Sequence, residues 1–154
     1  MRYRDFVLRR DYEGQNCSIA RTLELVGERW SLLIIRDCFR GLRRFDQFQA
    51  SLGIATNVLS SRLDRLVEAG IVDRVRYQER PDRYEYRLTD RGRELRIPLI
   101  ALMHWGDRYL APDGPPLVVE HATCGGAVLE QLVCSGCGEP VAAHELRTRE
   151  RTAA

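Results

Sequence analysis

The chain has 154 residues, with 24 basic against 22 acidic side chains and a formal net charge of +2. That length allows one domain with a moderate core plus an appendage. The charged opening stretch Met1–Gly14 lacks the apolar region of a secretory leader, and no later run reads as a membrane span, so a cytoplasmic location is expected.

The distribution of charge says more than its sum. Every cation is arginine. Residues 1–110 hold 21 arginines against 16 acids, a net of +5, and residues 111–154 hold three against six, a net of −3. A basic body with a mildly acidic tail points to a nucleic-acid partner for the body. Five cysteines in a reducing compartment argue against a structural disulfide set.

Residues 1–16 read as an irregular or partly helical arm. Ser18 then offers an N-cap, Ile19, Leu23 and Val26 set a helical face, and Gly27 ends it. Trp30 to Arg40 is apolar nearly all round, with Leu32, Leu33, Ile34, Ile35 and Phe39, and is expected to be a central core helix. Cys38 on it reads as core packing. Gly41 stops this helix. Phe45 to Leu52 is short and amphipathic, with Phe45, Phe48 and Leu52 inward, and Gly53-Ile54 makes a turn.

From Thr56 to Ala69, Leu59, Leu63 and Leu66 recur at i, i+4 and i+7 with Val67 beside them, and Gly70 closes the helix. With the leucines inward, Thr56, Asn57, Ser60, Ser61, Asp64 and Arg65 face out, and Arg62 stands at the border. Short hydrogen-bonding side chains near a helix N-terminus suit base edges in a major groove, so Asn57, Ser60, Ser61 and Arg62 are expected at or near base edges, and the free N–H groups there suit phosphate. A merely solvated face would carry Ser, Thr and Asn as well. The arginines and the hairpin beside it favour DNA.

That hairpin is read from two alternating runs, Val72 to Tyr77 and Arg83 to Leu88, joined by Gln78–Asp82 with its Pro-Asp turn signal. Helix, short helix, turn, helix, hairpin is the order of a winged helix-turn-helix. Arg44, Arg80 and Arg83 are expected on phosphates, the last two from a wing that enters the flanking minor groove.

Thr89 or Asp90 caps a last long helix reaching about Leu110. Leu95, Ile97, Leu99, Ile100, Leu102, Met103, Trp105, Tyr109 and Leu110 cover more than one of its faces, and Pro98 should kink it near Glu94. A terminal helix of a small domain cannot bury all of that on its own body. A homodimer is therefore expected, formed by this helix and the N-terminal arm, with Leu99, Leu102, Met103 and Trp105 in contact. The alternative is packing of the extra face on the C-terminal segment.

Pro112 to Pro116 is a Pro/Gly linker, which divides the chain into residues 1–110 and 111–154. Beyond it, His121-Ala-Thr-Cys124-Gly125 and Cys134-Ser-Gly-Cys137-Gly138 share the form ligand-x-x-Cys-Gly, with nine residues between Cys124 and Cys134. Two such pieces would make a Cys3His tetrahedron for a structural zinc ion, held by His121, Cys124, Cys134 and Cys137. His144 reads as surface. A metal-free hairpin, or a Cys134–Cys137 redox pair, stays open. An enzyme is not expected. His104, His121 and His144 form no pattern with a nucleophile and an acid, there is no phosphate-binding glycine loop, and the metal set would be closed to water. The competing functions are a zinc-ribbon protein–protein adaptor and a thiol-redox protein.

The stretches Leu25-Val26-Gly27-Glu28-Arg29-Trp30-Ser31, Leu33 to Asp37, Gly41-Leu42-Arg43-Arg44-Phe45, Leu59-Ser60-Ser61-Arg62-Leu63, Gly70-Ile71-Val72, Tyr84-Glu85-Tyr86 and Leu88-Thr89 together resemble the HxlR-type winged helix family of bacterial transcriptional regulators. The resemblance covers roughly residues 15–110. It implies dimeric binding of double-stranded DNA, usually repression, sometimes relieved by a reactive electrophile or another small-molecule effector. The family often carries a cysteine near the start of its first core helix, and Cys17 occupies the matching position. A thiolate there would be stabilised by the helix dipole, with Arg21 one turn on, and in that reading Cys17 is a thiol sensor. Simple packing is the other reading of Cys17. The fold class expected from all of this is mainly α with a small β-hairpin wing, plus a small β-rich, zinc-ribbon-like C-terminal appendage.

Overall fold

The computed structural model describes residues 17–149, so the expected N-terminal arm, residues 1–16, lies outside the described residues. The chain divides into two compact units between Leu99 and Ile100.

The first unit contains α1 (Ser18–Val26), α2 (Ser31–Phe39), α3 (Phe45–Leu52), α4 (Thr56–Glu68), β1 (Val72–Glu79), β2 (Asp82–Leu88), α5 (Asp90–Glu94) and the start of α6 (Arg96–Leu110). Its core is formed by Ile34 and Ile35 of α2, Phe48 of α3, Leu59, Leu63 and Leu66 of α4, and Val72 at the start of the hairpin, all fully buried. The leucine stripe of α4 therefore faces inward as its spacing requires.

Helix α2 is central, but it is not apolar on every side. Leu32 and Leu33 are only partly buried, whereas Ser31 and Asp37 are buried with the core isoleucines. Asp37 accepts hydrogen bonds at Oδ1 from Arg36 Nε and Nη2, at 3.0 and 2.8 Å, and its main-chain oxygen accepts from Leu42 N. A buried carboxylate needs such donors to be tolerated. Cys38 packs beside the core as expected, and burial, then the Asp37 charge, pushes its thiol up to about 12.

The first helix starts one residue earlier than its cap signal suggests. Cys17, with extended dihedrals (φ −135°, ψ 126°), is the N-cap and makes no side-chain cap bond. Ser18 is already helical, and its carbonyl accepts from the Thr22 hydroxyl at 2.9 Å. Helix α3 has the expected bounds. Gln47 Oε1 closes its N-terminus, accepting from the Arg43 and Arg44 amides at 2.9 and 3.0 Å. Gly53, at φ +60°, supplies the left-handed residue that ends it.

The hairpin is longer than the alternation suggests. The strands run to Glu79 and from Asp82, pairing from Val72 with Leu88 to Glu79 with Asp82, and a register shift falls between Arg76 and Gln78. Only Arg80-Pro81 is left as the turn, because the expected connector residues pair across the bulge. The chain before α3 joins the sheet: Arg44 bridges Glu85, and Tyr86 N donates to Arg43 O at 2.7 Å.

Thr89 caps α5, accepting from Gly92 N at 3.0 Å and donating to Gly70 O at 2.7 Å. A Cβ on Gly92 would lie 2.1 Å from the Ile71 carbonyl oxygen, so only glycine allows this approach. The single long helix expected here is two. It breaks at Leu95, because Pro98 has no N–H to offer the Glu94 carbonyl.

The second unit holds the rest of α6, two short hairpins and a 3-10 turn at Ala143–Glu145. The expected β-rich appendage is reduced to isolated bridges, Glu120 with Ala127 and Val133 with Pro140. No residue from 111 to 149 is buried. His104 of α6 contacts Glu130 and holds its carboxyl below the usual range. Among the described residues no helix is long and apolar enough to cross a membrane.

Candidate nucleic-acid interface

Helix α4 begins after a tight turn and stands beside the hairpin. Thr56, Asn57, Ser60, Ser61 and Asp64 are exposed along it, while its leucines are buried. Gln49 Nε2 of α3 donates to Thr56 Oγ1 at 2.9 Å, fixing the start of α4 against the preceding helix. The two helices and their turn therefore act as one piece.

Between α4, the N-terminus of α3 and the hairpin lies an open groove of about 560 Å³. Arg44, Arg74 and Arg83 line it together with Ser60, Asp64, Tyr77, Tyr84 and Tyr86. Aromatic rings hold the arginines in place: Arg44 lies 4.7 Å over Tyr77, and Arg74 lies 3.9 Å over Tyr84. Arg44 also approaches Glu85 at 3.6 Å. Arg87 and then Arg44 hold the Glu85 carboxyl below its usual range. The sequence reading named Arg44 and Arg83 but missed Arg74, Tyr77 and Tyr84. Their signal was a pair of strands with Arg and Tyr on one face, and only the register shows which residues share it.

Arg80 and Arg83 are exposed, at the hairpin tip and just after it. Arg62 departs from its expected position. Its Nη2 lies 2.9 Å from Glu28 Oε2, its side chain is only 20 % exposed, and its Nε is buried without a partner. Arg62 therefore points toward the α1–α2 loop and not outward with Ser60 and Ser61. Arg65 reaches the same carboxylate at 3.1 Å but stays half exposed. Glu28, which in the sequence is only one letter of the Leu25–Ser31 stretch, is the residue that gathers them.

Cys17 is half-buried at the start of α1, with its carbonyl accepting from Arg21 N at 3.1 Å. The four expected metal ligands fall into two pairs. His121 Nδ1 lies 3.3 Å from Cys124 Sγ in one hairpin. In the other, the Cys137 and Gly136 N–H groups and the Cys137 side chain hold the Cys134 thiol below its ordinary value. Among the described residues no group of three or more such side chains stands together. Each pair is set by its own hairpin, and nothing buried holds the hairpins to one another.

The apolar residues of α6 divide. Leu99, expected in a dimer contact, is partly buried and packs on the core of the first unit. Leu102 is more than half exposed, Ile97 is 70 % exposed, Trp105 54 % and Tyr109 62 %, whereas Met103 is intermediate. Trp105 and Tyr109 stack on each other at 5.4 Å.

Comparison with known proteins agrees with this geometry. The profile of HxlR-like helix-turn-helix proteins matches residues 25–114. The HTH-type transcriptional regulator Rv3095 of Mycobacterium tuberculosis is 51% identical over 136 residues, covering 88% of this chain and 85% of that protein. An alignment of that length extends into the C-terminal segment. Among solved structures, the candidate transcription factor PA1607 superposes with a TM-score of 0.80 at 40% identity, covering 90% of this chain and 97% of that one. The redox regulator HypR in its reduced form superposes with a TM-score of 0.57 at 29% identity, covering 60% of this chain and 92% of HypR.

Proposed function

This chain belongs to the HxlR-like helix-turn-helix family and is a transcriptional regulator, and from that premise we propose that it is a homodimeric repressor. In this reading α4 enters the major groove of double-stranded DNA and the hairpin tracks the adjoining backbone. The observation that carries it is the exposed row Thr56, Asn57, Ser60 and Ser61 on a helix whose opposite face is fully buried, beside exposed Arg80 and Arg83. The short polar groups suit base edges, and the arginines suit phosphate or a narrow minor groove. Arg44 and the half-exposed Arg65 flank the helix and serve as phosphate contacts. Arg62 supports the helix from behind and contacts no base.

The homodimer reading rests on Ile97, Leu102, Trp105 and Tyr109, an exposed apolar set that a lone chain leaves in water. A two-fold axis there sets two copies of α4 on half-sites one DNA turn apart. Response to an electrophile rests on Cys17 at the start of α1 and on the likeness to HypR, a redox regulator. A gel shift on the DNA upstream of the gene tests the reading. A shift resistant to unrelated competitor DNA, mapping to two inverted half-sites, is expected, and its absence at low salt overturns the proposal.

A further inference from the structure

The two hairpins of the second unit are one unit of structure built twice, thirteen residues apart. His121 N donates to Gly126 O at 2.8 Å, and Cys134 N donates to Glu139 O at 2.9 Å. Val128 N donates to Val119 O at 2.8 Å, and Val141 N donates to Leu132 O at 2.9 Å. At the tips, Gly125 N turns onto His121 O and Gly138 N onto Cys134 O, both at 2.8 Å. Gly125 and Gly138 take φ of +71° and +77°. Aligned in this way, HATCGGAV and CSGCGEPV keep a metal-ligating side chain at the first position, cysteine at the fourth, glycine at the fifth and valine at the last. A hairpin needs the glycine for its turn. It does not need a cysteine before each glycine, nor histidine or cysteine three residues earlier.

We propose that these paired knuckles bind one zinc ion per chain, through His121 and Cys124 from the first and Cys134 and Cys137 from the second. Each knuckle already brings its own pair together, and a structural zinc takes four ligands tetrahedrally. The hairpins run from Val119 to Val128 and from Leu132 to Val141, so three residues, Leu129 to Gln131, join them and keep the knuckles at high local concentration. The ion draws the two pairs to one point. Thiolate and imidazole are the donor set that zinc prefers over magnesium or calcium.

The absence of an internal core supplies the reason for a metal. Leu117, Val118, Leu129, Leu132 and Val133 are all more than half exposed, and no residue of 111–149 is buried. So small a segment holds its shape only with a staple, and ligand binding then doubles as folding energy. This inference is independent of the DNA-binding reading.

The test is the zinc content of the full-length protein, purified reduced and without chelator, and reloaded with zinc. One zinc per chain is expected by elemental analysis and non-denaturing mass spectrometry. Cobalt substitution should give the intense visible bands of a tetrahedral thiolate site. Cys134→Ser and His121→Ala should lose the metal, His121→Cys should keep it, and Cys38→Ser should be unaffected. Chelation should open residues 117–149 to protease while residues 18–99 stay resistant. No stoichiometric zinc after reloading, one zinc per two chains, a Cys134–Cys137 disulfide in its place, or full retention in Cys134→Ser would each overturn the proposal.

Discussion

Glu28 holds Arg62: Oε2 of the loop carboxylate lies 2.9 Å from Arg62 Nη2, while Oε1 takes Arg65 Nη1 at 3.1 Å. One acidic side chain after α1 thus fastens two arginines of α4 to the body. Arg62 is mostly buried and its Nε has no partner, so the carboxylate is the main compensation for its charge. Glu28→Gln is expected to lower stability by about 0.5–1 kcal/mol, a modest figure because Glu28 is itself part exposed. A double-mutant cycle with Arg62→Ala measures the coupling by thermal or urea unfolding. Strictly additive losses would remove the pairing from any structural role.

The wing should act without regard to sequence. Arg83 is exposed on the groove wall, so Arg83→Ala should weaken binding to all DNA sequences alike and lower the salt slope by roughly one. Unchanged affinity and salt dependence would show that the hairpin stays off the DNA.

The face of α4 should act through sequence. Asn57→Ala or Ser61→Ala is expected to cost roughly 1–3 kcal/mol on the preferred site and little on random DNA, and to relax the preference at one or two base positions. Binding-site selection on each variant reads this out. An unaltered preferred sequence would take these side chains off the base edges.

Trp105 lies near the middle of the exposed apolar set on α6. Trp105→Ala should weaken the dimer by about 2 kcal/mol, roughly thirtyfold. Sedimentation across the micromolar range would reveal it. A wild-type monomer at those concentrations would end the dimer reading.

The two body cysteines should differ in reactivity. Burial and the Asp37 charge push the Cys38 thiol to about 12, so it stays protonated below that pH and should resist alkylation at pH 8. Cys17 stands at the start of a helix and is not among the side chains packed against the core. An electrophile should label Cys17 before Cys38 and lower DNA affinity, and Cys17→Ser should keep binding while ignoring the electrophile. Equal loss of binding in the variant would clear Cys17 of sensing.

Much of this protein was legible in its sequence, and the reasons are local. The spacing of Leu59, Leu63 and Leu66 fixed which face of α4 is buried, and so which face stays open to solvent. Gly53 and Gly70 ended their helices because each takes a left-handed conformation that other residues rarely adopt. Pro98 announced the interruption of the last helix because it lacks an N–H for the Glu94 carbonyl. Tertiary structure alone decided the rest. Arg62 stands one position from the buried Leu63, and whether a border arginine turns to DNA or to the body depends on what lies across from it. Here that is Glu28, thirty-four residues away in the chain. Leu99 and Trp105 look alike as apolar letters on one helix, yet the first packs on its own core and the second stays in water. No periodicity distinguishes them, because the difference is made by residues that only folding brings near.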